Sequence, residues 1–178
     1  AYRRNRNIGD SICSHKIVDG KIEKRIPKSG RCIPCFSRRQ NLCCKQISNT
    51  KKFTSHISRK TYNIRQNVNC KSSWVIYLLS CRKCHIQYTG KSEWPMNIRM
   101  NKHRFDVTTT NSIPACKHFN DKNHLFERDA EFTVIEKLEE GKETTESLRK
   151  RLKERENFWI KELKTLKPHG LNMELNNI

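Results

Sequence analysis

The chain has 178 residues, with 37 Lys and Arg against 18 Asp and Glu, a formal charge of +19. That balance points to a polyanionic partner, nucleic acid first and an acidic membrane surface second. No run of 18 apolar residues occurs, which excludes a membrane-spanning helix, and the basic opening AYRRNRNIGD lacks the apolar stretch of a secretory signal.

The opening on Ala1 reads as mid-stream, as in a fragment of a longer polypeptide. Residues 1–30 are basic and weakly periodic, and read as a linker or the tail of a preceding domain. Residues 31–73 are cysteine-rich with little apolar content. Cys32, Cys35, Cys43 and Cys44 lie in RCIPCFSRRQNLCC, and Cys70 closes the region. So small a segment needs a staple to fold. The nine cysteines are odd in number, and two pairs are spaced C-x-x-C. That spacing favours zinc in a reduced compartment over disulfides, and a nuclear or intracellular location is expected.

From Trp74 to about residue 175 the pattern is that of an α+β unit. WVIYLLS predicts a buried strand, and HIQYTG a second one ended by Gly90, the two forming an antiparallel hairpin. Cys81 and Cys84 sit at its tip. A helix starts near Glu93 or Trp94, with Pro95 in its first turn and Met96, Met100, His103 and Val107 as its inner stripe. Residues 113–121 predict a short helix. DAEFTVIEKL (129–138) alternates like a third strand, and a long helix runs from about Glu143 to Leu166, stopped by Pro168 and Gly170. The expected fold is a small three-stranded antiparallel sheet flanked by helices.

On the last helix Leu148, Leu152, Trp159, Leu163 and Leu166 share one face, with Ile160 at its edge. Glu156 projects between Leu163 and Ile160. A carboxylate on an apolar face must be paired, swing out to water, or hold a cation. Arg99 and His103, one helical turn apart, suit a phosphate and a proton relay, although a solvated basic face is the bland alternative. Tyr77 and Tyr88 are strand tyrosines of an ordinary kind, which usually pack with a wet hydroxyl. Their coincidence with Gly90, Arg99, His103 and Glu156 sets them apart.

With these landmarks in this order, residues 74–173 resemble a GIY-YIG nuclease. Val75-Ile76-Tyr77 stands for GIY and Tyr88-Thr89-Gly90 for YIG. Arg99 and His103 match the helix residues that follow. Glu156 in ERENFWIKEL matches the metal-binding glutamate and resembles the segment of phage intron homing endonucleases. Asn172 in Gly170-Leu171-Asn172 matches a C-terminal asparagine. Val75 and Thr89 depart from the pattern, but neither position supplies a catalytic side chain. Cys81 and Cys84, placed between the tyrosine motifs, make the chain similar to the endonuclease domain of Penelope-like retroelements, where a cysteine-rich linker and a reverse transcriptase precede it.

The resemblance implies a DNA endonuclease that nicks one strand and frees a 3′ hydroxyl to prime reverse transcription. Tyr77, Tyr88, Arg99, His103, Glu156 and Asn172 would form its site, with Mg²⁺ at Glu156. DNA, RNA and a reverse transcriptase domain of the same polypeptide are the expected partners, and no membrane. Two zinc sites are expected. The first takes Cys81, Cys84, His118 and His124, with Cys116 as a competitor. The second takes Cys32, Cys35, Cys70 and one of Cys43 and Cys44. The basic arm and the cysteine-rich linker together, residues 1–72, hold Arg3, Arg4, Arg6, Lys24, Arg25, Lys28, Arg31, Arg38 and Arg39, and are expected to contact nucleic acid outside the catalytic cleft. A zinc-stapled nucleic-acid-binding module without catalysis is the alternative, and only the inward Glu156 beside Arg99 speaks against it. A redox protein is disfavoured, because this C-x-x-C lies in a hairpin turn and not at a helix start.

Overall fold

The computed structural model describes residues 15–18 and 21–24 as backbone, and residues 30–35, 42–109, 113–121, 123–141 and 143–177. Cys13 and most of the basic arm lie outside these residues.

Strands β1 (His15–Val18) and β2 (Lys21–Lys24) pair as an antiparallel hairpin. The cysteine-rich part holds β3 (Cys32–Ile33), α1 (Leu42–Gln46), β4 (Lys52–Thr54), β5 (Thr61–Asn63) and β6 (Val68–Asn69). Then follow β7 (Val75–Cys81), β8 (Gln87–Ser92), α2 (Met96–Thr109), α3 (Pro114–Phe119), α4 (Phe126–Asp129), β9 (Ala130–Lys137) and α5 (Thr145–Leu163).

The central sheet has three strands in the order β8-β7-β9, with β7 antiparallel to both neighbours. The middle strand is covered on both faces, which is why VIYLLSC reads as a continuous apolar run and not an alternating one. By alternation, Tyr77 and Leu79 share a face with their partners Tyr88, Gly90, Phe132 and Val134. Helix α2 covers that face, and the ring of His103 lies 5.7 Å from those of Tyr77 and Phe132. Behind the sheet, Leu78, Ser80, Gln87 and Thr133 meet the β4–β5 hairpin across a polar groove of about 480 Å³, which also holds His56, Arg59 and His85 and none of the expected catalytic groups.

Strand β8 does not stop at Gly90. Lys91 and Ser92 continue the ladder opposite Ile76 and Val75. Helix α5 is shorter than expected at both ends. Thr144 caps it by accepting from the Ser147 N–H, and Lys164 turns left-handed (φ 56°) to close it. Its buried stripe is Leu148, Leu152, Glu156, Ile160 and Leu163. Ile160 is therefore central, while Trp159 flanks the stripe, packs on Phe53 and Tyr62, and donates to Glu136. Glu156 lies in the middle of the apolar stripe.

The cysteine-rich segment shares one core with the sheet. Ile47, Phe53, Ile64 and Val68 pack into the same cluster as Val75, Phe132 and Leu152. It also covers an open strand edge: Ser48 N–H donates to the Phe132 carbonyl, and Ile47 bridges Phe132. The start of α2 rests on this segment. Met96 N–H donates to Ser72 O at 3.0 Å and Asn97 N–H to Cys70 O at 2.7 Å, which satisfies two of the helix's free donors.

Candidate active site and metal centres

Tyr77 is fully buried. Its hydroxyl accepts from Arg99 Nε at 2.9 Å and lies 2.6 Å from His103 Nε2. Since Arg99 is a donor only, His103 Nε2 is the acceptor within reach of the phenol's own proton. His103 can take that role because burial, then the charges of Arg99 and Lys102, push its pKa down to about 3 and keep the ring neutral. In that tautomer the ring's remaining proton sits on Nδ1, which is buried with no hydrogen-bond partner among the described residues. Burial pushes the Tyr77 phenol well up, so it keeps its proton and can serve as a relay but not as a standing base. The Arg99 guanidinium is correspondingly held charged, chiefly through Tyr77. Tyr88 is half-buried, with its ring 6.4 Å from that of Tyr77. Burial and then Glu156 raise its pKa.

Gly90 makes this arrangement possible. A Cβ at position 90 would stand 2.5 Å from the Tyr77 hydroxyl and 2.8 Å from the Tyr88 ring. The glycine that looked like a strand stop is instead the floor under the phenol.

Asn172 is buried, and both ends of its amide are committed. Its Oδ1 accepts from Thr89 N–H at 2.9 Å, and its Nδ2 donates to Thr89 O at 2.8 Å. It pins the open edge of β8 and so positions the strand between Tyr88 and Gly90.

Glu156 is 5% exposed. Its Oε2 accepts from Lys91 Nζ at 2.5 Å and from Asn176 Nδ2 at 2.5 Å. Of the readings open to it from sequence, pairing with a basic neighbour is the one realised here. Glu156 also lies close enough to disfavour ionisation of both Tyr77 and Tyr88. Lys91 and Asn176 were not expected at the site. Lys91 directly follows the Tyr88-Thr89-Gly90 motif, a usable signal, whereas nothing in the sequence marks Asn176.

At the hairpin tip, the ligand atoms of Cys81, Cys84, His118 and His124 all lie within 4.8 Å of one another. Cys81 Sγ is 3.3 Å from His124 Nδ1, and Cys84 Sγ is 3.6 Å from His118 Nε2. A tetrahedral zinc with ordinary Zn–S and Zn–N bonds sets such S···N edges at about 3.6 Å, so the group fits the ion. Burial, then His124, lowers the His118 pKa and favours the neutral, ligating ring. His85 at φ 63° helps turn the chain between the two thiols and β8. Cys116 is outside this group, buried near Asp106 and Arg99.

The second cluster differs from the expected set. It comprises Cys35, Cys44 and Cys70, with Cys35 and Cys44 Sγ 3.3 Å apart and Cys44 and Cys70 Sγ 3.9 Å apart. A tetrahedral S₄ site has edges of about 3.8 Å, which these distances approach. Cys32 is not among them. Its side chain is drawn inward to the Val134 backbone and Ser48, because β3 pairs with β6 and turns residue 32 into the core. Cys43 also faces the core, so of the adjacent pair it is Cys44 that joins the cluster.

No protein-family model matches the sequence, and no curated protein matches it. Among solved structures, the catalytic domain of the homing endonuclease I-TevI is similar with 25% identity and a TM-score of 0.44, over 56% of this chain and 97% of that one. A point-mutant form of the same intron endonuclease domain is similar with 24% identity and a TM-score of 0.45, over 58% of this chain and 95% of that one.

Two measurements follow from this geometry. As pH falls below the ordinary imidazole value of about 6.5, the unfolded chain takes up a proton at residue 103 that the folded chain refuses until about pH 3. Stability is therefore expected to drain across that window, by up to about 1.4 kcal/mol per pH unit from this group. His103→Asn should lose this component, which denaturant titrations at several pH values will show as a shallower slope. Separately, Cys84→Ser should release about one zinc per chain by elemental analysis and lower Tm, because metal binding contributes to folding free energy. Unchanged zinc content would count against the assignment.

Proposed function

We propose that the chain is a metal-dependent endonuclease domain that nicks one strand of DNA. The observation that carries this reading is the buried contact of Arg99 Nε and His103 Nε2 with one tyrosine hydroxyl, next to an inward carboxylate on α5. A module that only binds nucleic acid has no use for such a network. The order of motifs, which resembles GIY-YIG nucleases, supports the same conclusion.

In this mechanism Arg99 leaves its resting contact with Tyr77 and pairs with the scissile phosphate, stabilising charge on the phosphoryl oxygens. That movement opens the Tyr77 hydroxyl to a water. Water attacks phosphorus in line, its proton passes to the Tyr77 oxygen, and the phenolic proton moves to His103 Nε2, whose basicity rises as the Arg99 charge that depresses it withdraws to the phosphate. The P–O3′ bond breaks, leaving a 5′ phosphate and a 3′ oxygen that is protonated by solvent. Glu156 is the residue that would hold Mg²⁺, since a carboxylate suits a hard cation and the thiolate clusters suit zinc. When bound, the ion would supply Lewis-acid stabilisation of the negative charge that develops as the phosphodiester is cleaved. Tyr88 and Gly90 keep the phenol in place, and Asn172 holds the strand that carries them.

The placement of cysteines between the tyrosine motifs extends the proposal. The nicked 3′ hydroxyl would prime reverse transcription in a retroelement, with RNA and a reverse transcriptase domain as partners. The charge of +19 supports binding to phosphate backbones, and no helix among the described residues is long and apolar enough to cross a membrane.

Nicking of supercoiled plasmid with Mg²⁺ tests the core of this reading. Glu156→Ala should abolish cleavage and leave DNA affinity largely intact, because one carboxylate among 37 cations barely alters the field. Cleavage at the wild-type rate would remove Glu156 from the mechanism. Gly90→Ala should cost on the order of 100-fold in rate through displacement of Tyr77. It should also cost about 1–3 kcal/mol of stability through overpacking, read as a lowered Tm.

A further inference from the structure

We propose that Asn176 is a second protein ligand for the divalent cation at Glu156, and that the Lys91 ammonium holds the same place until the metal arrives. This rests on the assignment of Glu156 as the metal-binding carboxylate and goes beyond it.

Two oxygens already converge on one cation. Lys91 Nζ donates to Glu156 Oε2 at 2.5 Å and to Asn176 Oδ1 at 2.8 Å. The carboxylate side chain is 6% exposed, so it requires a positive partner in every state of the protein. A carboxylate and an amide carbonyl are hard oxygen donors of the kind Mg²⁺ and Mn²⁺ accept, with water and substrate phosphate filling the remaining positions. The lysine is a charge on a flexible stem and can withdraw, whereas the two oxygens are fixed to the fold.

Asn176 is held there by its neighbours. Asn157, next in sequence to Glu156, clamps the Asn176 backbone from both sides. Asn157 Oδ1 accepts from Asn176 N–H at 2.8 Å, and its Nδ2 donates to Asn176 O at 2.9 Å. One turn of α5 thus carries the carboxylate and the clamp that delivers the second oxygen. The amide orientation of Asn176 is set by the same network. Its Nδ2 faces two acceptors, Glu156 Oε2 and Asn157 Oδ1, so its Oδ1 faces the ammonium. The reverse orientation would set an NH₂ group against Lys91.

Exchange of the ammonium for a divalent ion adds positive charge at the site and frees Lys91 to pair with a phosphate oxygen. Metal and DNA therefore strengthen each other's binding.

The test uses Mn²⁺ as the probe, titrated into the full zinc-loaded chain without nucleic acid and followed by electron paramagnetic resonance or calorimetry. Asn176→Ala should weaken Mn²⁺ binding on the order of 10-fold. Asn176→Asp should tighten it, since a carboxylate replaces a neutral ligand. Lys91→Met should also tighten it, because the internal competitor is gone. If Asn176 only covers the carboxylate, Asn176→Ala will leave Mn²⁺ affinity unchanged or improve it, and the ligand assignment is overturned. Unchanged or weaker binding by Lys91→Met would overturn the displacement. Glu156→Gln separates the levels. If it binds Mn²⁺ as wild type does, the metal role of Glu156 itself fails; if it loses Mn²⁺ while Asn176→Ala does not, only the inference about Asn176 fails.

Discussion

The Tyr77 hydroxyl occupies a space that exists because residue 90 has no side chain. The main features of the site follow from that close approach. With the phenol seated against β8, it can meet Arg99 and His103 from α2 at hydrogen-bond distance, and the three groups fix one another's protonation. Burial keeps the phenol protonated and the imidazole neutral, while the guanidinium stays charged. Donor, relay and acceptor are thus assigned by the low dielectric of a single buried spot. A side chain at position 90 would displace the phenol and dissolve that assignment with all three residues still in the sequence.

The parts that chemistry requires to be separate are kept apart by ligand type. Thiol and imidazole groups gather at the hairpin tip and in the cysteine-rich segment, where a soft ion can act as a staple. The oxygens of Glu156 and Asn176 converge elsewhere, on the Lys91 ammonium, and are of the kind a hard cation accepts. The two kinds of centre are still connected mechanically. The carbonyl of Cys70, a member of the three-thiol cluster, receives the Asn97 N–H at the start of α2, the helix that carries Arg99 and His103. The cysteine-rich segment is therefore more than a spacer. It buries Ile47, Phe53, Ile64 and Val68 in the common core and supplies the carbonyls on which helix α2 begins.

Asparagine amides do a similar job on the other side. Asn172 reads the backbone of Thr89 as a paired strand would, and Asn157 does the same for Asn176. Both stand where no further strand is available to satisfy the backbone. A side-chain amide presents an N–H donor and a carbonyl acceptor side by side, so it substitutes for a missing peptide. Each leaves a neighbouring element anchored near the site: β8 in one case and the C-terminal segment in the other.

The sequence by itself determined the sheet and its helices, because apolar periodicity is local. The strand at 75–81 and the stripe of Met96, Met100, His103 and Val107 lie where the apolar pattern placed them, and so does the strand at 130–137, although its burial runs unbroken from Phe132 to Ile135 instead of alternating. It also brought Cys81, Cys84, His118 and His124 forward as one group, since thiols and imidazoles at such spacing have few other uses. What only the tertiary structure decided was everything set by contacts between distant segments. Cys32 turned into the core because of its pairing with Val68, and left Cys44 to join Cys35 and Cys70. Gly90 proved to be a floor and not a stop, since a glycine's meaning depends on what approaches it. Ile160 and Glu156 moved to the centre of the α5 stripe because Trp159 found its partners in Phe53 and Tyr62, about a hundred residues earlier. Lys91 and Asn176 joined Glu156 from two further elements. Local pattern records which side of an element is buried, but the partner that meets it there is fixed only when the whole chain has packed.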